Sequence, residues 1–142
     1  MKKIIYLVCL ASLIAIIGCG SNPTGPEMGS GGLGSGSGNG NGNGNVNIQV
    51  QGQQDGMGNY IFSLNPSVEV TFSKITASVP AANYTENFDF TGQGQWQANN
   101  NQGFLAYDAN VIEQGQAWSF KFDGKTVNDN KDFSVSVNYT VQ

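Results

Sequence analysis

The chain has 142 residues, with six lysines, ten aspartates and glutamates, and neither arginine nor histidine. So acidic a balance lacks the basic footprint that nucleic-acid binding requires. The missing histidine also removes the commonest general base and zinc ligand.

The N-terminus is the most specific part of the sequence. Met1-Lys2-Lys3 is followed by mostly apolar residues from Ile4 to Ile17 and then by Gly18-Cys19. A positive start, a short apolar run and a small residue before the cut describe a secretory signal peptide. The run is too short to span a bilayer core, which takes about 20 helical residues. The segment Ile16-Ile17-Gly18-Cys19 resembles the lipobox of bacterial lipoproteins, with Ile16 where that family usually has Leu. The resemblance implies a signal peptide over residues 1–18, cleavage before Cys19, and a diacylglyceryl group on the Cys19 sulfur. It also implies a membrane partner reached through acyl chains such as palmitate. Each buried methylene contributes about 0.8 kcal/mol, so two or three chains hold firmly where one binds reversibly. In lipoproteins of two-membrane bacteria an Asp after the cysteine retains the protein at the inner membrane. Gly20 stands here, and the implied destination is the outer membrane. Cys9 leaves with the signal, so the processed chain has no thiol for disulfides, thiolate metal sites or cysteine nucleophiles. It keeps four lysines against ten acids, a net charge of −6.

Residues 19–45 read as the lipidated end and a flexible tether. From Gly29 to Asn45, nine of seventeen residues are glycine and the rest are Ser, Asn and Leu33. Such a segment cannot bury enough apolar area to offset its own ordering. As a coil from Gly20 to Asn45 it spans about 28 Å root-mean-square. The Gly-Asn alternation lacks the Asp that a calcium-binding glycine-rich repeat needs.

Residues 46–142 are expected to form one domain, and apolar residues there recur at every second position, the period of a strand with one buried face. Val46, Ile48 and Val50 open the series, and Tyr60, Phe62 and Leu64 follow. A turn at Asn65-Pro66-Ser67 leads to Val68, Val70 and Phe72. The phase then shifts to Ile75, Ala77 and Val79, which predicts a bulge or a crossing between sheets near Ser73-Lys74. Tyr84, Phe88 and Phe90 make a fourth strand whose series Glu86 interrupts, Phe104 to Ile112 a fifth, and Trp118, Phe120 and Phe122 a sixth. Asp123-Gly124 is expected to start a loop before the cleanest alternation, Phe133 to Val141.

No stretch carries a helical period, and glycines interrupt the domain every ten or so residues. The fold class is therefore all-β: a single immunoglobulin-like antiparallel β-sandwich of about seven strands, with Greek-key connections, after a disordered Gly/Ser/Asn linker. Glu113 to Phe120 is similar to fibronectin type III modules, in which a Gly turn precedes an aromatic-x-aromatic strand. The Cys-Trp-Cys signature of true immunoglobulin domains is absent.

Candidate chemistry is sparse. The domain has no Gly-x-Ser-x-Gly turn and no Ser-x-x-Lys, and its nearest carboxylate pairs are Glu86 with Asp89 and Asp108 with Glu113. Strand parity sends Glu86 and Asp89 to opposite faces, against a shared role in glycoside hydrolysis. Asn128, Asp129, Asn130 and Asp132 cluster oxygen donors as calcium loops do, but lack the turn Gly and bidentate Glu of an EF-hand. Trp118 follows the core alternation. Trp96 lies among Gln and Asn residues without an apolar partner at strand spacing, which suits either a contact surface or a cover for the sandwich edge. The expectation is a membrane-anchored envelope lipoprotein, not an enzyme and without a cofactor, whose domain is an adhesion-like or accessory interaction module for an unidentified envelope protein or glycan. A carbohydrate-binding domain using Trp96 and Tyr107 is the alternative.

Overall fold

The computed structural model describes residues 35–39 and 45–142. The expected signal peptide, Cys19 and most of the expected tether lie outside the described residues. Seven strands lie between Asn47 and Thr140: β2 (Asn47–Gln54), β3 (Asn59–Pro66), β4 (Val70–Val79), β5 (Tyr84–Asp89), β6 (Gln102–Asp108), β7 (Ala117–Thr126) and β8 (Asp132–Thr140). They are preceded by β1 (Ser35–Asn39). Two antiparallel sheets, ordered β1-β2-β3-β6 and β5-β4-β7-β8, form a β-sandwich.

Alternation in the sequence becomes alternation of faces. Ile48, Val50, Phe62, Leu64, Ile75, Ala77, Phe120, Phe122, Val135 and Val137 have no exposed surface. Phe62 sits at the centre, its ring within 4.9 to 6.5 Å of Tyr60, Phe104, Tyr107, Trp118, Phe120 and Tyr139. Tyr60 and Tyr139 bring hydroxyls into the core and satisfy each other at 2.8 Å, as buried polar groups must. Gly52 leaves them the room, because a Cβ there would meet both hydroxyls at 2.6 and 2.7 Å.

The phase shift in β4 is a bulge. Its register against β7 slips between Phe72 and Lys74, which lets both Phe72 and Ile75 face inward. The extra residue, Ser73, is satisfied: its hydroxyl donates to the Asp123 carbonyl at 3.0 Å, and its carbonyl accepts from the Phe90 amide at 3.0 Å.

Three expectations need correction. Ser35–Asn39, assigned to the tether, is a strand paired with β2, because backbone hydrogen bonding does not require apolar side chains. Asp123-Gly124 does not begin a loop: β7 runs on to Thr126. Gly124 is there because β4 comes too close for a side chain, a Cβ lying 2.2 Å from the Thr71 carbonyl oxygen. The fifth strand ends at Asp108, whose carboxylate accepts from the Asn110 amide at 2.9 Å and starts a 3-10 turn over Ala109–Val111.

Candidate functional site

The sandwich has two seams where the edges of its sheets face each other. At one, β1 lies against β8. At the other, β5 and β6 are the edge strands, and Tyr84 and Tyr107 approach across it with hydroxyls 3.3 Å apart. Tyr84, Glu86 and Phe88 share the half-buried face of β5. The Tyr84 hydroxyl donates to the Glu86 carboxylate. Tyr107 packs edge-on against Phe62 and 5.2 Å from Trp118, which is itself stacked on Phe120 at 5.8 Å. The Trp118 indole N–H donates to Gln116 Oε1 at 2.9 Å.

A hydrogen-bonded chain of two phenols and one carboxylate thus closes this seam over an aromatic floor. Burial, then the bond to Glu86, pushes the Tyr84 phenol up to about 12. Burial likewise raises Tyr107, with smaller contributions from Tyr84 and Glu86. Both phenols therefore stay protonated as donors at ordinary pH. Sequence parity could have placed Tyr84 with Glu86, since both occupy even positions of one strand. Nothing in the sequence indicates that β5 and β6 face each other.

The structure does not bring Trp96 and Tyr107 together. Trp96 forms an isolated backbone bridge to Val70 at the start of β4, and its ring packs edge-on against Phe72 at 5.4 Å and Phe90 at 6.2 Å. Tyr107 lies beside Trp118, next to the Ser78–Ser119 pair near the other end of β4. At about 3.3 Å per residue the two sites are about 25 Å apart, so they do not form one binding surface. Trp96, half-buried, is the cover over this end of the sandwich.

The oxygen cluster after β7 is a hairpin tied by its own hydrogen bonds. Asp129 accepts from the Thr126 hydroxyl and pairs with Lys131 at 2.9 Å; the hydroxyl first, then the ammonium, hold its carboxyl below the usual range. Asp132 pairs with Lys125 at 3.6 Å, and Asn130 takes a positive φ of 52°. Asn128 and Asp129 border a depression shared with Val68, Glu69 and Lys131, and Asp132 opens β8. Among the described residues no group of three acids, histidines or cysteines is placed to hold a metal ion. Glu86 and Asp89 lie on opposite faces of β5. Glu86 is half-buried, whereas Asp89 faces solvent and accepts from the Thr91 amide at 2.8 Å. Asp108 serves its 3-10 turn, and the Glu113 carbonyl accepts from Gln116 in the next turn.

No family model, no curated protein and no solved structure matches the chain.

Proposed function

We propose that the chain is a membrane-anchored cell-envelope lipoprotein, processed before Cys19 and held at the outer membrane by its acyl chains, whose immunoglobulin-like sandwich is a non-catalytic interaction module for another envelope protein. One observation carries this reading: the order Lys2-Lys3, Ile4 to Ile17, Gly18-Cys19 at the head of the chain. The non-catalytic part is supported by how the carboxylates are used. Asp55, Asp89, Asp108 and Asp129 each accept hydrogen bonds from residues two to four positions away, which shapes turns. Cys19→Ser tests the anchor. Labelling with a fatty-acid analogue should mark the wild type and not the variant, because the sulfur is the attachment point, and equal labelling of both would overturn the reading.

A second reading, carbohydrate binding, is favoured by one feature of the β5/β6 seam: Tyr84, Glu86 and Tyr107 present hydroxyl and carboxylate groups in one connected set beside aromatic rings. A glycan array probed with wild type and with Tyr84→Phe tests it. Binding that the substitution weakens favours this reading over the first.

A further inference from the structure

The seam between β2 and β8 is filled by a strand without a single apolar side chain. Gly36 pairs with Val50 and shares its core-facing side. A Cβ on Gly36 would fall 2.2 Å from the backbone oxygen of Asn138 and 3.2 Å from Val137 Cγ1. The backbone of β8 cannot yield as a flexible side-chain tip would, so this position admits glycine alone. Every even position from Gly34 to Gly44 is glycine, and every odd one from Ser35 to Asn45 is Ser or Asn. The side-chain period of a strand is two. A slip of two residues therefore returns glycine to the wall of β8, whereas a slip of one would put Ser or Asn against it.

Elsewhere in the sandwich register is set by side chains that must reach the core, as Ile48 and Val50 do in β2. Nothing comparable holds β1, and Gly-rich strands are those whose register is weakly specified. Loop length does not hold it either. The observed pairing of Asn39 with Asn47 leaves seven residues, 40–46, in the connection. Slips of two and four residues leave about five and three, the lengths that hairpins use most. The repeat is also covalently next to the seam, and its effective concentration there exceeds that of any free strand.

We propose that the seam between β2 and β8 is a binding slot for an extended segment with glycine at alternate positions, and that its occupant is this chain's own Gly34–Asn45 repeat, seated in several registers two residues apart. Each step moves two residues between strand and tether. The domain thus pays out or takes up its own tether without disturbing the core. The inference is independent of lipidation at Cys19.

Paired introduced cysteines test it in the full chain carrying Cys9→Ser and Cys19→Ser. Antiparallel partners lie about 4.5–5.5 Å apart at Cα, within disulfide reach. The pair Ser37→Cys/Gln49→Cys reports the observed register, Asn39→Cys/Gln49→Cys a slip of two and Asn41→Cys/Gln49→Cys a slip of four. All three should close within one chain in a glutathione buffer. Gly38→Cys/Gln49→Cys, one residue out of phase, should close about tenfold less. Adding Gly36→Val should cut closure of the Ser37/Gln49 pair by about tenfold and leave the Asn41/Gln49 pair intact, because residue 36 then lies opposite Gln54 at the end of β2. Closure of the Ser37/Gln49 pair alone, closure of no pair, disulfides only between chains, or loss of the Asn41/Gln49 pair on adding Gly36→Val would each overturn the proposal.

Discussion

The two tryptophans show how much a single residue's neighbours decide. Trp118 is 4% exposed and belongs to the central aromatic cluster. Trp118→Ala should therefore lower stability by about 3–5 kcal/mol in denaturant unfolding, the range for a deleted buried aromatic. Trp96 keeps part of its surface in water but rests on Phe72 and Phe90. Trp96→Ala should cost about 2 kcal/mol, roughly half of a full burial, and its indole should be quenched by acrylamide more than that of Trp118. A cost of only a few tenths would return Trp96 to a free contact surface. The phenols give a pH signature. Tyr84 is raised to about 12 from an ordinary value of 10.0, so the folded state binds its proton more tightly than the unfolded state does. The stability this contributes is complete below pH 10 and is lost between about 10 and 12. Alkaline titration of stability in wild type and Tyr84→Phe should show a shallower loss in the variant, and parallel curves would remove Tyr84 from that transition.

At the scale of elements, β4 and β7 carry the least regular and most informative geometry. The β4 bulge was legible, because Phe72 and Ile75 cannot both be apolar and inward on an unbroken period of two. Its counterpart in β7 was not. Gly124 reads as a turn residue after Asp123, and only the Thr71 carbonyl oxygen at 2.2 Å from the site of a Cβ shows that a glycine is needed inside a strand. Gly124→Ala should destabilise by about 1–3 kcal/mol, since the clash is with backbone and not with a mobile side chain. Thermal unfolding checks this, and an unchanged midpoint would mean that β4 moves aside freely. The same reasoning explains the error at β1. Composition correctly indicated that Ser35–Asn39 has nothing to bury, but a strand can be recruited by the edge of its neighbour alone.

For the whole molecule, that edge decides solution behaviour. With β1 removed, β2 becomes an uncovered sheet edge, a template for pairing between chains. A chain beginning at Asn45 should still give a β-type far-UV spectrum and unfold cooperatively, because its core is complete without β1. It should also self-associate in sedimentation at concentrations where the full-length chain carrying Cys19→Ser stays monomeric. A monomeric truncated chain would show that β1 protects nothing.

By itself the sequence determined the fold class, the seven strands between Asn47 and Thr140 and most of the buried face, because burying one face of a pleated chain imposes a period of two that survives in the residue types. The proposed export and lipidation signal also rests on local order alone, from Lys2-Lys3 to Gly18-Cys19. Only the tertiary structure decided what faces what: that Tyr84 and Tyr107 meet across a seam, that Trp96 and Tyr107 lie near opposite ends of β4, and that Gly36 lies against the backbone of β8. These pairings depend on how two sheets stack. Stacking joins residues far apart in the chain through contacts that no local pattern encodes.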